Sequence, residues 1–301
     1  MKTKKLLALL TAAAMLTAMT ACGGNNNSAS GSDAAASGSG SDLGMISVIS
    51  REDGSGTRGA FIELMGVEEA DADGNKTDMT TADAIVTNNT EVMMSTVAGD
   101  PASIGYVSLG SLNDQVKAVK VDGVEATADN VKNGTYKVAR PFNIATKGEP
   151  TGVAKDFINF ILSADGQKIV SEDYITIDDQ AAAFETDGST GKLVIGGSSS
   201  VTPLMEKLVE AYKAINAGAD IELQTSDSTS GMTGTMEGTY DIGMASRELK
   251  DDESAALKNT VIAMDGIAVI VNNENPIEDL TSEQIGQIYK GEITDWSELS
   301  K

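Results

Sequence analysis

Four short segments of this sequence place serine, threonine and glycine where an apolar run stops, and two of them add an arginine. They are Arg51-Glu52-Asp53-Gly54-Ser55-Gly56-Thr57, Gly196-Gly197-Ser198-Ser199-Ser200-Val201-Thr202-Pro203, Ser226-Asp227-Ser228-Thr229-Ser230-Gly231 and Asp241-Ile242-Gly243-Met244-Ala245-Ser246-Arg247. The chemistry open to such segments is oxyanion capture. A helix start offers unpaired N–H groups and partial positive charge, and glycine lets the backbone come close to a ligand. Hydroxyls add neutral donors, and a guanidinium adds a permanently charged fork. One such segment alone reads as turn and cap chemistry. Four together, two with an arginine, point to a shared anion site. Asp53 is placed either to orient Arg51 or to cap the helix that follows it.

The elements that must hold these residues lie on either side of them. Ile46–Ile49, Lys192–Ile195, Ile221–Gln224 and Asp241–Ala245 read as strands that run into the four segments. Phe61 with Met65, Leu204 with Leu208 and Tyr212, and Met232 with Met236 recur at helical spacing after three of them. Pro203 fits the first helical position, with Thr202 as the cap. This alternation predicts α/β layers with mainly parallel sheet.

Composition removes much of the competing chemistry. The 301 residues hold no histidine and one cysteine, which excludes Ser-His and Cys-His catalysis, imidazole metal sites and an internal disulfide. No G-x-S-x-G or Walker A pattern is present: Gly191-Lys192 is followed by Leu193. With 22 Lys plus Arg against 45 Asp plus Glu, the net charge of −23 argues against nucleic acid as a partner. The sequence thus predicts no enzyme, no metal and no cofactor. Asp71-Ala72-Asp73-Gly74-Asn75 lacks the closing glutamate of a calcium loop, with Ala82 in its place, and reads as a polar surface loop. Trp296, the only tryptophan, reads as a packing anchor.

The start of the chain reads as an address. Lys2, Lys4 and Lys5 precede an apolar run from Leu6 to about Met19, too short for a comfortable membrane span. Residues 1–21 are assigned as a signal peptide, and Met19-Thr20-Ala21-Cys22 resembles a lipoprotein cleavage site with Cys22 as the lipidated first residue. Residues 22–44, poor in large apolar side chains, read as the lipidated Cys and a flexible linker. Signal, anchor and tether together place the folded body outside the cytoplasm, lipid-anchored to the cell membrane.

The four segments, in the company of Ile288-Tyr289-Lys290-Gly291-Glu292-Ile293-Thr294-Asp295-Trp296, resemble those of the PstS-like family, the substrate-binding proteins of bacterial phosphate ABC transporters. The resemblance runs from Ile46 to the end of the chain. It implies an α/β, two-domain periplasmic-binding-protein-like fold with the ligand cleft between domains. It also implies capture of inorganic phosphate by a monomer that hands it to ABC transporter permease subunits. Carried over, Arg51, Ser55, Gly56, Thr57, Ser200, the Val201 backbone N–H and Ser228 contact the anion, with Ser246 and Arg247 beside them. The order of the segments departs from the family: the Ser200 turn usually comes first, and the Trp296 segment leads on to Arg51. This resembles a circular permutation with Glu185–Lys192 as the new join. The implied domains are 45–141 plus 267–301 and 142–266, crossed by Asp265–Val271 and Ala139–Ala145. Some relatives carry Asp where Arg247 stands, an acceptor for the proton of hydrogen phosphate. Arg247 either binds the anion or pairs with Glu248, so receptors for sulfate, molybdate or tungstate stay open as alternatives. So does a signalling or adhesive surface lipoprotein that keeps the fold without transporting.

Overall fold

The computed structural model describes residues 43–71 and 76–299. The signal-like segment, Cys22, most of the tether and residues 72–75 of the polar loop lie outside the described residues. Among the described residues no helix is long and apolar enough to cross a membrane.

Nine strands build one main sheet: β1 (Ser47–Arg51), β2 (Ile85–Thr87), β3 (Ser103–Ser108), β4 (Val116–Ala118), β5 (Ala139–Thr146), β6 (Gly191–Ser198), β7 (Ala219–Ser226), β8 (Ile242–Ala245) and β9 (Lys258–Asn272). Their order is β7-β6-β8-β5-β9-β3-β1-β2, with β4 also paired to β9. Strands β1, β2 and β3 pair in parallel, as do β6, β7 and β8. The sheet is nevertheless mixed, where mainly parallel pairing was expected, because β5 and β9 run antiparallel to all their partners. The reason is topological. The chain leaves one apolar core along β5 and returns to it along β9, so the two strands point in opposite directions.

Two large cores flank these strands. One gathers Ile49, Phe61, Tyr106, Ile270, Tyr289 and Trp296, drawn from residues up to Val138 and again from Ile267 onward. The other gathers Phe142, Phe157, Phe160, Ile195, Leu208 and Tyr212, with members from Phe142 to Ala263. The scarce aromatics are concentrated there: Phe61 stacks on Tyr106 at 4.0 Å, and Phe157 tilts against Tyr212 at 5.0 Å. Trp296 is buried and its Nε1 donates to the Ala102 carbonyl at 2.8 Å, as a packing anchor should.

The helices that matter for the site start where strands stop. They are α1 (Gly56–Leu64), α2 (Thr90–Ala98), α6 (Thr202–Ile215) and α7 (Ser228–Glu237), with α3 (Ala128–Lys132), α4 (Gly152–Leu162) and α5 (Ala164–Val170) between the second and third of these in the chain. Helix α6 shows why: Leu204, Met205, Leu208 and Tyr212 bury one face at helical spacing. Its cap is Val201 rather than Thr202, which is the first helical residue with its hydroxyl donating to the Ser198 carbonyl at 3.1 Å. Gly197 permits the preceding turn, at a φ of 135° and with room for no Cβ: one would sit 2.4 Å from the Met244 carbonyl oxygen.

Candidate functional site

Strand β1 delivers Arg51 to its end, almost wholly buried. Its guanidinium is held flat by Glu52, with Nε on Oε2 at 2.7 Å and Nη2 on Oε1 at 2.8 Å. Nη2 also donates to Ser199 Oγ at 3.1 Å. Glu52, not Asp53, therefore orients Arg51. Asp53 is exposed and pairs with Arg58 at 3.0 Å. Ser55 caps α1 by accepting from the Arg58 N–H, and Gly56 and Thr57 open the helix, buried with it.

Around Thr57 the other helix starts converge. Thr57 Oγ1 lies 2.8 Å from Ser200 Oγ and 3.4 Å from Ser246 Oγ. Ser198 Oγ donates to Ser246 Oγ at 3.0 Å, and the Ser246 N–H donates to Ser228 Oγ at 3.1 Å. The starts of α1 and α7 also touch directly, the Thr229 N–H donating to the Gly54 carbonyl at 3.1 Å. Arg51, Ser55, Gly56, Thr57, Ser200, Val201, Ser228 and Ser246, predicted from the sequence, thus fall together. The Val201 N–H donates to the Ser198 carbonyl at 3.1 Å.

Arg247 is turned to a different task. Its guanidinium forms a fork on Glu253, with bonds of 2.7 and 2.8 Å, and reaches the Glu248 carbonyl at 2.9 Å and Thr229 Oγ1 at 3.2 Å. Its carboxylate partner is Glu253, itself buried, rather than the neighbouring Glu248.

Two residues of this neighbourhood escape the sequence reading. Thr90, the first residue of α2, sits 3.3 Å from Ser199 Oγ and 3.4 Å from Ser200 Oγ. A signal for it exists: β-branched Ile85-Val86-Thr87 followed by Asn88-Asn89-Thr90 is another strand end running into a helix cap, and Asn89 is that cap. Arg140, on β5, donates from Nη2 to Thr57 Oγ1 at 3.1 Å and pairs with Asp265 of β9 at 3.3 Å.

The cluster adjoins a cleft of about 910 Å³ lined by Asn89, Thr90, Ser111, Ser199, Thr202 and Thr225. Its electrostatics are balanced locally, since each of the three buried arginines has a carboxylate beside it: Arg51 with Glu52, Arg140 with Asp265, Arg247 with Glu253. Burial pushes Arg140 down and Asp265 up to about 6, so desolvation outweighs their mutual attraction. What remains to meet an anion is a set of hydroxyls, helix starts and shared guanidinium edges. Among the described residues no group of three or more Asp, Glu, Cys or His could hold a metal ion.

Comparison with known proteins bears on this arrangement. The PBP superfamily domain matches residues 29–165 and 182–301. The Phosphate-binding protein PstS 2 of Streptococcus agalactiae is 54% identical over 266 residues, spanning 87% of this chain and 90% of that protein. The chain belongs to the PBP superfamily, in its PstS-like branch. A protein of the same description from Streptococcus pneumoniae is 41% identical over 300 residues, 99% of this chain and all of its own. The crystal structure of a phosphate-binding protein of a phosphate ABC transporter from Streptococcus pneumoniae superposes with a TM-score of 0.68 at 43% identity. It covers 85% of this chain and 99% of that one. In this PstS-like chain the α/β fold is therefore shared with a solved receptor along almost the receptor's whole length.

Proposed function

We propose that this protein captures inorganic phosphate outside the cytoplasm and delivers it to the permease subunits of an ABC transporter, with no bond made or broken. The observation that carries the reading is the meeting of Thr57, Ser200, Ser228 and Ser246 beside Arg51 at the starts of α1, α6 and α7. Helix starts and hydroxyls hold an oxyanion without net basic charge, as a chain of net charge −23 requires. The relatives named above, which carry phosphate binding in their descriptions, support the same substrate. Arg51, Ser55, Gly56, Thr57, Ser200, Val201 and Ser228 are the contacts in this reading, with Ser246 behind them. Arg247, forked onto Glu253, braces the start of α7 rather than touching the anion.

The two cores act as lobes, 45–141 plus 267–301 and 142–266, that close on the anion by bending where β5 and β9 pass between them. The segment order is that of a circular permutation. In support, two segments far apart in the chain lie side by side: Met45 bridges Asp295, and the Ile46 N–H donates to the Thr294 carbonyl at 2.8 Å. Segments so close can be joined, and new ends opened in an exposed stretch such as Glu185–Gly188, at small cost. Cys22 carries the lipid anchor, and the protein works as a monomer.

Calorimetric titration of the purified protein, stripped of carried-over anion, tests the reading. Phosphate binds tightly at one site; with Arg247 standing where some relatives carry an accepting Asp, discrimination against sulfate falls to another acceptor such as Asp227 or a backbone carbonyl, or is weaker. A preference for sulfate or molybdate would keep the receptor and change its cargo. Silence toward every oxyanion would leave a signalling or adhesive lipoprotein. Arg51→Ala separates the two classes: a receptor loses most of its anion affinity, and a scaffold keeps its partner.

A further inference from the structure

We propose that Arg140 is a positioning residue of the anion site, fixing the Thr57 hydroxyl as a donor toward the anion and supplying a second guanidinium charge behind it. The inference rests on the receptor reading and goes beyond it, since Arg140 lies in none of the four turn segments.

The argument begins with proton counting. A guanidinium has donors only, so in the 3.1 Å contact between Arg140 Nη2 and Thr57 Oγ1 the threonine oxygen must accept. The single Thr57 proton is then directed away from Arg140, into the hydroxyl cluster where Ser200 Oγ lies at 2.8 Å and Ser246 Oγ at 3.4 Å. A hydroxyl that could otherwise point its proton either way is set as a donor, the polarity an oxyanion needs. Without Arg140, both lone pairs of Thr57 are open to Ser200 and Ser246, and the proton can turn away from the anion.

A second observation concerns what Arg140 lacks. The side chain is 2% exposed, yet its Nε and Nη1 have no hydrogen-bond partner. Its counter-charge, Asp265, stands at 3.3 Å in the strand register opposite, and that Oδ2 atom also lacks a properly directed hydrogen bond. A structural arginine buried for packing alone is expected to be fully bonded, because unmade bonds to a buried charge are costly. With Asp265 at 3.3 Å and the Phe142 ring 5.6 Å from it, the guanidinium is balanced in charge yet keeps two buried N–H groups without acceptors beside the hydroxyl cluster, a reserve that an arriving dianion draws on. Arg140 and Asp265 also sit where β5 and β9 pair, so the reserve lies on the strands that join the two cores.

The test is calorimetric titration with inorganic phosphate of wild type, Arg140→Gln/Asp265→Asn, Thr57→Val and the triple variant. Removing both charges together avoids leaving a buried carboxylate alone. The double variant should lose about tenfold to a hundredfold in affinity. In the presence of Thr57→Val the same pair of changes should cost at least about threefold less than in its absence, because the hydroxyl it orients is gone and only the charge behind it remains to be lost. Equal losses with and without Thr57→Val, or a folded double variant with wild-type affinity, would overturn the inference and leave the receptor reading standing. A wild type that binds no oxyanion would overturn both. Should the double variant fail to fold, the Arg140 Nε–H resonance of the wild type decides. It must shift in step with phosphate occupancy, and a stationary resonance overturns the proposal.

Discussion

Thr57 Oγ1 lies 2.8 Å from Ser200 Oγ although 143 residues separate them in the chain. One hydroxyl opens α1, on the core that holds Phe61 and Tyr106; the other precedes α6, on the core that holds Phe157 and Tyr212. Their contact marks a place where the two cores meet through hydroxyl groups. Thr57→Val keeps the shape and removes the hydroxyl. Phosphate affinity should fall about tenfold, while the melting temperature without anion moves by no more than about 3 °C. Calorimetry and a circular-dichroism melt read the two quantities, and a large melting change with unaltered affinity would assign Thr57 to the fold instead.

Gly56 tests the closeness of that approach. A Cβ there would stand 2.4 Å from Ser228 Oγ and 2.8 Å from Ser246 Oγ, contacts that belong to the opposite core's helix start and strand end. Gly56→Ala should weaken phosphate binding by more than about tenfold and leave the anion-free melting temperature unchanged or slightly raised, since alanine suits a helix better than glycine. Retained affinity would mean that the lobes bind phosphate without coming this close.

Arg247 separates bracing from binding. Arg247→Met leaves Glu253, 2% exposed, with its charge unpaired, which costs about 3 kcal/mol. Urea unfolding should register that loss, and phosphate affinity should stay within about threefold of wild type. A collapse of affinity at unchanged stability would return Arg247 to the anion.

Asp265 predicts a pH dependence. Burial holds its carboxyl up at about 6 against an ordinary 3.8, despite Arg140. The tyrosines facing it, Tyr136 and Tyr174, are themselves pushed upward by burial and stay neutral in this range. A carboxyl raised on folding keeps a proton that the unfolded chain has released, so its contribution to stability falls as pH rises from about 4 to about 6. Asp265→Asn removes that titration. In anion-free buffer the stability of the variant relative to wild type should climb across this window and level off above it. Parallel curves would show that Asp265 titrates alike in both states.

The turns were legible in the sequence for a physical reason: strand end, hydroxyl cap and helix start are local, and Ser55, Asp227 and the Gly197 turn announce themselves within a few residues. The mixed sheet was not, because nothing in Ala139–Thr146 or Lys258–Asn272 says which way a neighbouring strand will run. The counter-charges were equally silent. Glu52 and Glu253 are two acidic residues among many in this chain, and only the folded burial of Arg51 and Arg247 singles them out. Arg140 had no local mark at all, since its partners Thr57 and Asp265 come from distant strands and helices.

The fifteen residues of β9 serve both cores: Lys258–Gly266 ladder onto β5, and Ile267–Asn272 onto β3 and β4. Neither core can melt without stripping hydrogen bonds from a strand the other still needs. Two lobes that bend as separate bodies should therefore unfold as one cooperative unit, with a single calorimetric peak, and the amides of β9 should be among the last to exchange with solvent.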